Sequence, residues 1–226
     1  MTPVPEQVGQ VENLRAADGR VPGRRGRATR QRLLECTAGM LRTTSYRSLK
    51  VIDIAREAGT SPATFYQYFA DVEAAILALA HEMAVDGQRL VRLVAEGTWK
   101  GRPGYDTALA LTDAFFAFWD EHRPVLRVVD LSTEEGDLRF RTIRARLLNA
   151  VTTELAAVIA SMQAEGRNLG VEPLAQAGTL VTTLANVAAH HTGFEFWGIH
   201  TADVRISVAR QVYWGTTGQR PPTPAG

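Results

Sequence analysis

Residues 46 to 76, YRSLKVIDIAREAGTSPATFYQYFADVEAAI, constrain the fold more than any other stretch. They read as a short helix, a tight turn and a second short helix. Leu49, Ile52, Ile54, Ala55 and Ala58 make an apolar set that fits one buried helical face. Gly59 closes that helix, because a residue without Cβ enters the left-handed region at no steric cost. Ser61 is placed to cap the next helix, and Pro62 fits its first position, where a missing N–H removes no bond. The product is a helix-turn-helix, whose second helix enters a DNA major groove by its N-terminal end.

Charge distribution points the same way. The chain carries a net charge of only +1. Yet Arg15, Arg20, Arg24, Arg25, Arg27, Arg30 and Arg32 fall in a short stretch opposed only by Asp18. Such an arm binds phosphates or an A·T-rich minor groove even when the whole chain is near neutral. The competing reading is a solvated tail. Directly ahead of a helix-turn-helix, the DNA reading is favoured.

A chain of 226 residues with 45% hydrophobic content is long enough to bury a real core, as one large domain or two modest ones. No run approaches the roughly 20 apolar residues of a membrane helix, and residues 1 to 20 lack the apolar centre of a signal peptide. The single cysteine, Cys36, excludes an internal disulfide and points to a reducing compartment. It sits among Leu33, Leu34, Met40 and Leu41 as a small apolar residue. A cytoplasmic protein with no membrane partner is expected.

Everything beyond the motif also reads as helix. Residues 1–26 are expected as a disordered basic arm, 27–72 as the helix-turn-helix domain, 73–216 as a larger helical domain, and 217–226 as a flexible tail. The first helix is expected from about Ala28 to Thr43, and the motif helices over 48–58 and 61–68. A long helix from Val72 to about Glu96 is broken by Gly97 to Gly104. Tyr105–Glu121, a short helix from Pro124 to about Leu131, Glu134–Glu165, Pro173–Trp197 and Ala202–Trp214 complete the series. The period of three to four apolar residues is clearest in Leu138, Ile143, Leu147, Val151, Leu155, Val158 and Met162. With no strand pair or hairpin signal, the fold class is all-α, about nine helices in all.

The string Asp53-Ile54-Ala55, Ala58-Gly59, Ser61, Thr64-Phe65-Tyr66, Tyr68-Phe69 resembles the DNA-binding signature of TetR-type transcriptional regulators. It covers the N-terminal third. The rest resembles the family in length and helical character. The resemblance implies a homodimeric repressor that leaves a palindromic double-stranded DNA operator when a small hydrophobic effector binds the C-terminal bundle. By matching positions, Ser61, Pro62, Ala63 and Thr64 fall at the operator-facing end of the recognition helix, the last three at base edges. Tyr66 and Tyr68 reach phosphates, with Lys50 and Arg27 adding charge. Phe65 and Phe69 point inward. The last two helices of the resembled proteins form a four-helix dimer interface. The sequence departs from the pattern twice: Leu49 stands where a capping Thr is usual, and Val72 where a phosphate-binding Lys is usual.

Enzymatic motifs such as GxGxxG, GxxxxGK[ST], GxSxG and HExxH are absent, so neither an enzyme nor a cofactor is expected. The alternative is an all-α enzyme or metal-binding protein built on His190, His191 and Glu195. Adjacent histidines point about 100° apart on a helix, which argues against a shared metal. A better constellation is apolar. Phe115, Phe118 and Trp119 crowd one helix, and Asn186, His190 and Phe194 form a stripe on another, the usual make-up of a small-molecule pocket. Asn149 and Thr153 are polar positions expected to face the same cavity. The competing readings are core filling for the aromatics, solvent exposure for Asn149 and Thr153, and a dimer contact for Asn186.

Overall fold

A computed structural model describes residues 23–168 and 170–222. The arm over residues 1–22 and the last four residues of the expected tail lie outside the described residues. Among the described residues there are nine α-helices and no strand. They are α1 (Arg24–Met40), α2 (Val51–Glu57), α3 (Pro62–Tyr68), α4 (Val72–Asp86), α5 (Gln88–Ala95), α6 (Gly101–Glu134), α7 (Leu138–Ala164), α8 (Pro173–Glu195) and α9 (Thr201–Thr217). A 3-10 turn, Tyr46–Ser48, precedes α2. Two compact units result. One holds the described residues up to Met83 together with Pro124–Ile143; the other holds Ala84–Arg123 and the described residues from Arg144 onward. By packing, the first unit reaches to Met83 and takes in a piece from later in the chain.

The first unit is built on one apolar cluster. Leu33 and Leu34 of α1, Ile54 and Ala58 of α2, Phe65 of α3, Phe69, and Ala75 and Ala78 of α4 pack together. Gly59 closes α2 at φ 65°, where a side chain would be strained. Ser61 caps α3, its hydroxyl accepting from the Thr64 N–H at 3.2 Å. Neither Ser48 nor Lys50 caps α2: Ser48 lies in the 3-10 turn, and Lys50 occupies the cap position without a side-chain bond. Ile52 corrects the sequence reading. It is 59% exposed, because the inner face of α2 is set by Ile54, Ala55 and Ala58, and Ile52 stands two helical steps, about 200°, from Ile54.

Other helix limits also differ from expectation. The helix from Val72 divides at Gly87, where a Cβ would collide with the Leu147 side chain, so a close approach of α7 fixes the glycine. The two helices expected around Pro124 are one, α6, with the proline inside it. Pro124 cannot donate to the Asp120 carbonyl, and it falls where the chain passes from one unit to the other. Gly136, at φ 93°, turns the chain from α6 to α7.

The second unit buries Leu111, Phe115, Phe116 and Phe118 of α6, Leu147, Val151, Leu155 and Ile159 of α7, Leu184 and Ala188 of α8, and Val208, Val212 and Tyr213 of α9. By length and composition, α7 passes as a membrane-crossing helix. Its buried residues nevertheless fall on one stripe at three-to-four spacing, the pattern of a helix packed in a bundle. α8 opens on Glu172, whose carboxylate accepts from the Leu174 and Ala175 N–H groups at 3.1 and 2.5 Å. At Gly215 of α9 a Cβ would lie 2.7 Å from Gln176 and 2.8 Å from Leu180, so the helices of this hairpin touch there. At the end of α9 Thr216 and Thr217 are buried, and the Arg210 guanidinium donates to the Pro222 carbonyl at 3.1 Å.

Candidate nucleic-acid interface and effector domain

α3 presents two unlike faces. Phe65 is fully buried and Phe69, just past its end, is 4% exposed, their rings 5.5 Å apart. This pair anchors the short helix and fixes its angle. Pro62, Ala63, Tyr66 and Gln67 lie outward, with Tyr66 53% exposed and its ring edge-on to Phe65 at 5.9 Å. Thr64 and Tyr68 are half-buried at the margins. The Thr64 hydroxyl lies 3.0 Å from that of Ser61, so the cap also orients it. The outward set is short, mostly uncharged and free of ion pairs, which suits close approach to base edges. Gln67 is an outward residue of this face that was not among the expected positions. Its signal is spacing: Ala63, Tyr66 and Gln67 share a face at i, i+3 and i+4.

Around this face the cations have distinct employments. Arg24, Arg25, Arg27 and Lys50 are exposed. Arg30, counted in the basic run, is buried instead: it reaches Glu82 at 3.2 Å and lies over the Phe69 ring at 5.3 Å. Arg56 is paired with Asp53 at 2.8 Å. Arg47 is paired with Glu135, which also accepts from the Tyr46 hydroxyl at 3.3 Å. Next to it, Arg139 pairs with Glu73 and Asp137. The Asp137 carboxyl is held well below the usual aspartate range, chiefly by its hydrogen bond from Arg139.

In the second unit the expected aromatic group is entirely buried. Phe115 and Trp119 stack at 5.4 Å with 12° between planes, and Phe118 packs on both Trp119 and His122. The expected polar positions fall elsewhere. Asn149 and Thr153 are exposed on α7. Asn186 and His190 do share a face of α8, but it is the exposed one, and His190 Nδ1 turns back to the Asn186 carbonyl at 2.9 Å. Phe194 is half-buried and meets Trp197 edge-on at 5.6 Å. The inward histidine is His191, one residue on, since a single helical step rotates the side chain by about 100°.

His191 joins a network of charge. Its Nε2 lies 2.9 Å from Asp120 Oδ1 and 3.2 Å from the Arg123 guanidinium. Its ring packs 5.2 Å from that of Phe116. Burial raises the Asp120 carboxyl, but hydrogen bonds and charge from His191 and Arg123 outweigh it and hold the group below its usual value. Arg205 of α9 lies over Phe116 at 4.9 Å and reaches Asp113 at 3.5 Å.

The trio His190, His191 and Glu195 does not converge. Glu195 instead accepts from the Thr201 N–H at 3.0 Å and its hydroxyl at 2.7 Å, bracing the turn into α9. These bonds, the side-chain one foremost, hold its carboxyl below the usual glutamate value. Asp86, Glu121 and His122 do bring ligand atoms within 4.8 Å of one another. Arg89 already neutralises both carboxylates, at 2.7 Å from Glu121 and 3.4 Å from Asp86.

A helix-turn-helix with an outward recognition face, followed by a larger all-helical domain, defines a class of regulator architecture. The family profile described as bacterial regulatory proteins, tetR family, matches residues 33–79. That described as tetracyclin repressor-like, C-terminal domain, matches residues 90–223. The chain belongs to the TetR family. An uncharacterized HTH-type transcriptional regulator of Haemophilus influenzae is 28% identical over 132 residues. That alignment covers 58% of this chain and 63% of the relative, less than two thirds of its length. A TetR-family transcriptional regulator from Rhodococcus sp. superposes with a TM-score of 0.60 at 21% identity, over 84% of this chain and 99% of that one. The regulator FadR of Bacillus subtilis, solved with stearoyl-CoA, gives a TM-score of 0.63 at 16% identity, over 82% and 98%. At these identities the structural likeness shows the fold.

Proposed function

We propose that this chain is a repressor that binds a palindromic operator as a homodimer in the cytoplasm and leaves it when a small apolar effector enters the second unit. The observation that carries the reading is the division of α3: Phe65 locked inward, and Pro62, Ala63, Tyr66 and Gln67 held outward on a capped helix. Folding alone gives no reason to expose an aromatic ring there. In this reading Pro62, Ala63 and Thr64 meet base edges, and Gln67 is a candidate for adenine. Tyr66, Tyr68, Lys50 and Arg27 meet phosphates. One recognition helix reads one half-site, so a two-fold partner supplies the second.

The effector belongs near Phe115, Phe118 and Trp119, where α6 gathers the largest rings of its unit. Support for an apolar ligand comes from the stearoyl-CoA bound by the Bacillus subtilis relative. Because α6 runs through both units, a ligand that prefers one position of that helix shifts the regulator between two states. The test is enrichment of duplexes by the full chain from a random-sequence library. Convergence on one symmetric sequence supports the reading; recovery of the starting pool contradicts it.

A further inference from the structure

Among the described residues of the second unit, two buried side-chain nitrogen atoms have no hydrogen-bond partner: Nδ1 of His191 and Nε of Arg205. Buried polar groups are almost always paired, and an orphan costs free energy that the surrounding fold must offset. They are not scattered. His191 stands near the end of α8 and Arg205 near the start of α9, on the two helices of one hairpin. Both lie against one ring, Phe116, with the His191 ring at 5.2 Å and the Arg205 guanidinium carbon at 4.9 Å.

One other nitrogen of each is already engaged. His191 Nε2 meets both an acceptor, Asp120 Oδ1 at 2.9 Å, and a donor, the Arg123 guanidinium at 3.2 Å; the shorter contact favours the proton on Nε2. The Nδ1 atom then offers a lone pair, or a second N–H once the ring is protonated. Arg205 turns an outer nitrogen toward Asp113, and its Nε–H remains a donor. Asp120 is paired with Arg123 and Asp113 with Arg205, so what the two orphan atoms lack is a group that accepts at one atom and shares a proton at another. A carboxyl group has that pattern. One oxygen accepts from Arg205 Nε, and the other shares one proton with His191 Nδ1.

We propose that the second unit recognises an apolar carboxylic acid, its carboxyl group held between His191 Nδ1 and Arg205 Nε against the Phe116 ring. This rests on the reading of that unit as an effector domain. It adds the head group to the apolar body.

The test is direct binding of two ligand series to the full chain by calorimetry. One series runs from hexanoate to palmitate, the other from benzoate to pyrene-1-carboxylate, each acid paired with its methyl ester. An ester keeps the apolar body and an acceptor but loses the shared proton and the charge. At least one acid should bind roughly tenfold or more tighter than its ester, the scale of a missing charge-assisted hydrogen bond. His191→Phe keeps a ring on Phe116, and Arg205→Lys keeps the cation but loses Nε. Each should bring acid and ester to within about threefold of each other, a difference well below one such bond. Equal binding of acid and ester throughout, binding of neither, or an acid preference that survives both substitutions overturns the proposal. A chain that prefers acids but enriches no duplex would sink the operator reading and leave this one standing.

Discussion

Arg47 and Glu135, 88 residues apart in sequence, form an ion pair that ties the turn before α2 to the end of α6. The Tyr46 hydroxyl binds the same carboxylate. Both partners of the ion pair are exposed, so solvent screens the attraction and the stability gained is small. A double-mutant cycle on Arg47→Ala and Glu135→Ala should give a coupling below about 1 kcal/mol in denaturant unfolding. A coupling well above that would mean the pair is shielded from water and anchors the unit. Its use is positional: it ties the segment leading into α2 to the end of α6, a helix that also runs through the second unit.

Tyr66 offers the cleanest test of how α3 docks. Tyr66→Ala should weaken operator binding by roughly 1–3 kcal/mol, with the unfolding midpoint nearly unchanged. The ring is more than half exposed, so its removal leaves no cavity. Equal affinity of variant and parent at matched salt would place the helix some other way on DNA.

Arg24, Arg25 and Arg27 stand in the first turn of α1, which has no acidic residue and no side-chain cap. Positive charge at a helix start opposes the macrodipole, so folding does not favour it. Replacing all three by Gln should leave stability equal or slightly higher. The log–log slope of operator affinity against salt should fall in magnitude by about 0.9 for each phosphate that is no longer neutralised. An unchanged slope would reduce these arginines to solubilising charge.

Asp120 gives a pH signature. Its carboxyl is held below the usual value, so the fold favours the ionised form. The stability this contributes is present above the ordinary aspartate range and is lost as pH falls through the depressed folded value. Asp120→Asn should therefore be less stable than the parent at neutral pH, with the gap closing in acid. Thermal melts across the acid range would show it; a gap that widens toward low pH would refute the assignment.

Local rules made the reading head legible. Gly59, Ser61 and Pro62 each act on their own turn, and the structure uses all three as the sequence implies. Ile52 escaped because it lies two helical steps, about 200°, from Ile54, which turns it away from the face of Ile54, Ala55 and Ala58. The Gly87 break and the continuity of α6 through Pro124 are decided by neighbours: Leu147 crowds the first, and the second depends on packing that outweighs one missing N–H. The second unit was legible as helices and aromatics but not in its polar network. His191 and its neighbour His190 differ in sequence only by order, and one faces in while the other faces out. Asp120 and Arg123 lie 71 and 68 positions from His191, a separation that no local pattern encodes.

The central claim is that two copies of α3 read the major groove. Methylation interference on the enriched duplex measures it most directly, because guanine N7 lies in the major groove and adenine N3 in the minor. The account predicts two symmetric clusters of interfering guanine N7 positions, centred about 34–36 Å apart along one face of the duplex. A single cluster, or interference confined to adenine N3, would contradict it.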